Sequence, residues 1–131
     1  WNQYLDEFES RITIQKPPLQ SVTSIKYIDS DGVEQTASTA LYTVDTDAVP
    51  GQVYLAYNQS WPTTQSIDKS VNIEYVAGYG DAAAVPQSIK HAILLHVGHM
   101  YEHRETVSDF QVHNVPMGYD ELLWPYRVIS L

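Results

Sequence analysis

The sequence predicts an α+β domain: an antiparallel sheet of about five short strands, one long helix, and a short C-terminal helix or extended arm. Three observations predict it. Short alternating runs separated by turn residues fill residues 1–80. The stretch 85–105, VPQSIKHAILLHVGHMYEHRE, is long and periodic enough for a helix and anchors a segment 81–106 of the same domain. The remainder, 107–131, is a linker and an arm that ends in a dense apolar cluster.

Taken in order, Arg11 to Ile14 alternates and is stopped by Pro17-Pro18. Ser21 to Ile28, SVTSIKYI, alternates with apolar side chains on both faces. Asp29-Ser30-Asp31-Gly32 is a turn signal, so Val33 to Thr36 returns antiparallel. Leu41 to Asp45 is the next strand, and Val49-Pro50-Gly51 places Pro and Gly in the positions of a type II turn. Gln52 to Tyr57 is then its partner, and Val71 to Val76 follows the polar loop NQSWPTTQS.

In the helix, Pro86 suits the first turn, where a missing N–H costs nothing. At about 100° per residue, Ile89, Ala92, Ile93, His96, Val97 and Met100 share one face. Leu94, Leu95 and Tyr101 lie outside it, so the helix is apolar on more than one side and needs two covers. The rest of the chain is expected to supply one and a neighbouring subunit the other. In the arm, Pro125 interrupts a helix-like stretch, and Tyr119, Leu122, Leu123, Trp124 and Tyr126 call for a surface to pack on.

Composition narrows the function classes. With 131 residues and 44% hydrophobic content, the chain can bury a modest core. It has no cysteine, which excludes disulfides and thiolate metal sites. Sixteen Asp plus Glu against seven Lys plus Arg give a net charge of −9, which opposes DNA binding. No apolar run reaches the roughly 20 residues of a membrane span. Nothing has the make-up of a signal peptide. The chain opens on Trp1, as a processed or truncated piece of a longer protein does.

Three motifs suggest chemistry, and each has a plainer explanation. His99-Met100-Tyr101-Glu102-His103 reads H-x-x-E-H, the pattern of inverted zinc proteases, with His96 on the same side. Such an enzyme needs a further acidic ligand on a second helix, and Asp109, Asp120 and Glu121 are not persuasively spaced. Gly78-Tyr79-Gly80-Asp81-Ala82-Ala83 satisfies G-x-G-x-x-A, but Ala84-Val85-Pro86 delays the helix, and hairpins precede it where a dinucleotide site needs parallel strands. Tyr57, Trp61 and Gln65 could form a carbohydrate platform, although Tyr and Trp equally dominate protein interfaces. The chemical alternatives are therefore a small metal-dependent hydrolase using His99, Glu102 and His103, and a glycan-binding β module of a tail.

The pieces PPLQSVTSIKYIDSDGVEQT, YTVDTDAVPGQVYLAYNQSWP, VNIEYVAGYGDAAAVPQSIKHAILLHVGHMYEHRE and LLWPYR, in this order, resemble the head–tail connector (adaptor) family of tailed bacteriophages. Similar proteins occur in phage-like gene transfer agents. The resemblance runs from about Lys16 to Arg127 and includes no catalytic signature. It implies a structural virion protein without cofactors, whose relatives form a ring, twelve-fold in assembled virions, at the portal vertex. The implied partners are other copies of the chain, the portal protein, and a tail-side stopper or tail-terminator protein. Double-stranded DNA would pass through without specific binding, and no membrane is involved. Relatives usually carry a helical region ahead of the first strand, where this chain begins directly.

Periodicity and resemblance converge on two surfaces. Leu94, Leu95, Gly98, Tyr101 and Glu102 are the subunit-interface candidates, with Gly98 permitting close approach. Tyr119, Leu122, Leu123, Trp124 and Tyr126 are the candidates for docking to the portal or another partner. Part of the acidic excess is expected to line the DNA channel.

Overall fold

A computed structural model describes residues 1–102 and 118–127. The chain divides into two compact units, Trp1–Tyr79 and Gly80–Leu131. The first is all β. Its strands are β1 (Asn2–Leu5), β2 (Arg11–Thr13), β3 (Leu19–Ile28), β4 (Glu34–Thr36), β5 (Tyr42–Asp45), β6 (Gln52–Leu55) and β7 (Val71–Ala77). The fold class is the one the sequence predicts. The strands, however, form two antiparallel sheets, one ordered β1-β7-β3-β4 and the other β2-β6-β5. Alternation and turn chemistry identify strands and hairpins, but they do not say when the chain leaves one sheet for another.

One core lies between the sheets. Strand β7 shows why: Val71, Ile73 and Tyr75 are buried while Glu74 and Val76 are exposed and Asn72 is half-buried, the period of two that a strand imposes. Ile25 from β3 joins them, and Ile12, Tyr42 and Val53 from the second sheet close the cluster. Burial raises the pKa of both Tyr42 and Tyr75, because the apolar surroundings disfavour phenolate.

Polar clasps fix the edges of this unit. The buried Gln3 on β1 donates from Nε2 to the Thr13 carbonyl at 2.9 Å and accepts from the Gln15 amide at 3.0 Å, so its amide stands in for a ladder rung between the sheets. Ser70, also buried, donates its hydroxyl to the Asp6 carbonyl. At the β3–β4 hairpin, Asp29 Oδ1 accepts from the amides of Asp31 and Val33, and Oδ2 accepts from Gln35 Nε2. The Val33 amide, then Gln35, lower the pKa of this carboxyl.

The β5–β6 turn departs from the type II expectation. The Val49–Pro50 peptide is cis, as is Pro17–Pro18, and Gly51 is not in the left-handed region that a type II turn requires. Packing explains the glycine instead: a Cβ on Gly51 would stand 2.5 Å from Leu19 Cβ.

The second unit begins where Gly78 and Gly80, both at positive φ, release the chain from β7. A 3₁₀ turn at Ala82–Ala84 precedes helix α1 (Gln87–Glu102), whose first turn hangs on the Pro86 carbonyl, accepting from the amides of Ile89 and Lys90. The helix start is thus separated from the glycines, and the β pairings among the described residues are antiparallel, so the G-x-G-x-x-A match lacks the setting a dinucleotide site needs. Helix α2 (Tyr119–Leu123) and a 3₁₀ turn at Trp124–Tyr126 complete the described residues. None of their helices is long and apolar enough to cross a membrane.

Candidate functional site

Helix α1 sets the site. Among the described residues it packs on α2, whose start is organised by Gly118 at φ 111 and by Glu121, which accepts from the Gly118 amide at 3.0 Å. Two contacts pin the pair: the Tyr119 ring lies 5.6 Å from the His96 ring, and the hydroxyls of Ser88 and Tyr126 share a 2.9 Å hydrogen bond. Helix α2 has five residues and covers little. Only Ala92 of α1 is buried, while Ile93, Val97 and Met100 stay exposed beside Leu94, Leu95 and Tyr101. Among the described residues, the cover expected from the chain itself on one side comes from α2 and is partial.

Between the helices runs a groove of about 530 Å³. Leu94, Leu95, Gly98 and Leu122 form its apolar lining, and His91, His99 and Glu102 add polar groups. Four of the five predicted subunit-interface residues, Leu94, Leu95, Gly98 and Glu102, thus come together. Tyr101 is exposed on the same helix but does not line the groove. Sequence reasoning missed His91 as part of this stripe, although the spacing 91, 95, 98, 102 is the i, i+3/i+4 repeat of one helix face.

The arm residues divide. Tyr119 engages His96, and Leu122 faces the groove. Leu123, Trp124 and Tyr126 surround a separate hollow with Asp120 and Arg127. There the Trp124 side is 64% exposed, and the Arg127 guanidinium carbon lies 5.5 Å from the indole centroid, a cation–π pair. Arg127 was legible only as the cation that closes LLWPYR.

Among the described residues no group of three or more His, Asp or Glu is placed to hold a metal ion. His99 and Glu102 share the groove, while His103 and Asp109 lie outside the described residues. In the β unit, Tyr57 is 98% exposed, but Trp61 is half-buried. Its ring stacks on Phe8 at 4.5 Å and 3°, Tyr42 follows at 6.3 Å, and its Nε1–H donates to the Glu9 carbonyl at 2.8 Å. The indole face expected to carry a sugar is spent on internal packing.

No family model and no curated protein matches the chain. Solved structures do match it in fold. A chain in the neck of a native gene transfer agent (GTA) particle, computed with C12 symmetry, matches with a TM-score of 0.74 and 21% identity, over 99% of this chain and 69% of that one. A chain in the neck of an empty GTA particle, computed with C6 symmetry, gives 0.75 and 22%, over 99% and 65%. A chain in the virion of a native GTA particle gives 0.74 and 20%, again over 99% and 65%. The present chain spans about two thirds of the length of these neighbours. Its fold is one found in the necks of such particles, in agreement with the resemblance carried by the sequence.

Proposed function

We propose that this chain is a structural protomer of the neck of a gene transfer agent or tailed-phage virion, assembled as a ring that joins the portal protein to the tail side and surrounds the DNA path. The observation that carries this reading is the fold match along 99% of the chain to neck chains solved under twelve-fold and six-fold symmetry. The physics of the surface supports it. A helix with apolar residues exposed on two sides is poorly suited to a solitary chain, and a ring protomer has two neighbours to cover it. Leu94, Leu95, Gly98 and Glu102 belong to that subunit contact, with Tyr101 beside them, and the exposed end of the arm, Leu123, Trp124 and Tyr126, is a docking surface. The protein works mechanically and catalyses nothing.

Passage of DNA also fits the charge. Affinity for a duplex comes from neutralising phosphates, whereas a wall carrying part of a −9 charge repels them and lets the duplex slide. The direct test is mass measurement by light scattering, alone and with purified portal protein. A ring-sized species, twelve copies in the assembled state, is expected in at least one condition. A chain that stays monomeric in both removes the proposal.

A further inference from the structure

Gly98 is a mid-helix glycine for which the described residues show no use. Its backbone is not in the left-handed region, so conformation does not demand glycine. Among the described residues, a Cβ placed there meets nothing within 4 Å beyond the neighbouring turns of the helix, so their close packing does not demand it either. Glycine is nevertheless among the poorest residues for a helix interior. What it provides is an open floor in the α1–α2 groove, beside Leu94 and Leu95 and with the Glu102 carboxylate farther along the same face. The same chain exposes an indole, Trp124, with the Arg127 cation over its ring. The groove and the hollow around Trp124 have no lining residue in common.

We infer that the groove of one protomer receives the Trp124 tip of a second copy, with the indole over Gly98 and the Arg127 guanidinium paired to Glu102. This deepens the ring reading and rests on it, by naming the contact that links successive protomers. Charge favours this occupant. Two copies of a −9 chain repel at long range, and a contact that sets the cation of one tip against the carboxylate of the other groove offsets that locally and fixes register. Size favours it as well, since a groove of about 530 Å³ admits a side chain as large as an indole. Buried Trp and Arg are also the residues that most often dominate protein contacts. Because two different patches meet, the contact is head-to-tail, the kind that closes rings instead of stopping at a dimer.

Four substitutions and a cross-link test it. Gly98→Leu should raise or preserve the melting temperature of the full chain while weakening assembly at least tenfold, alone or on portal protein. Trp124→Ala should weaken assembly equally without unfolding the chain. Glu102→Arg and Arg127→Glu should each weaken assembly, and the double exchange should restore it. Since the chain has no cysteine, Glu102→Cys and Arg127→Cys made as separate proteins and mixed under mild oxidation should give a disulfide dimer beyond what either forms alone. Both substitutions in one chain should give a ladder of oligomers.

Rings formed normally by Gly98→Leu and Trp124→Ala would overturn this contact and leave the ring reading standing. The same holds if Trp124→Ala assembles fully but no longer binds portal protein, since the tip would then dock there. Failure of the unmodified chain to assemble in any condition would remove both.

Discussion

Gln3 does at one position what a strand does along its length. Its amide bonds both ways, from β1 to Thr13 at the end of β2 and to Gln15 just beyond, and only 6% of the residue's surface is exposed. Gln3→Leu keeps the volume but leaves the Thr13 carbonyl and the Gln15 amide without a partner, which should cost about 1–3 kcal/mol in urea unfolding. Titration offers a second check at this scale. Tyr42 and Tyr75 hold their protons longer when folded, so their contribution is intact below the ordinary tyrosine pKa of about 10 and is lost as pH rises through the folded values. Ultraviolet titration should show two late tyrosines whose ionisation accompanies alkaline unfolding. Asp29 has the opposite sign: its lowered pKa gives stability above the ordinary carboxylate range that disappears as pH falls through the folded value. Carboxyl NMR should find its midpoint below that of a free aspartate.

At the scale of elements, two glycines make opposite predictions. Gly51→Ala drives a methyl against Leu19 Cβ, an atom too close to the backbone to yield, and should destabilise the β unit by about 1–3 kcal/mol. Gly98→Ala meets open space and should stabilise α1 by about 0.5–1 kcal/mol, readable as a higher melting temperature. Sequence patterns made most of these elements legible, because strands β2 to β7 alternate or sit against turn residues and α1 has a helical period. Strand β1 escaped notice: NQYL is short, and its pairing with β7 is fixed by residues far away in the chain. The cis Val49–Pro50 bond escaped too, since Pro-Gly reads as a type II turn until the Leu19 side chain is seen against Gly51. The surplus of apolar residues on α1 and the arm was visible from composition and spacing. Their division into a groove and a separate tip was not, because that depends on which side of α1 the short α2 occupies.

For the whole molecule, acidity and assembly belong together. A chain at −9 should show no retention of double-stranded DNA in a gel-shift assay at low salt, and tight binding there would contradict an unobstructed conduit. The distribution of burial makes a further demand. Nearly every buried side chain among the described residues belongs to the β unit, and Ala92 is the exception. Hydrogen exchange of the free chain should therefore find slow amides in β3 and β7 and fast ones in α1, with the latter slowed on assembly. Such a protein is finished in two stages. On the proposed reading, the β unit brings its own core to the particle, while the helices gain theirs from neighbouring copies.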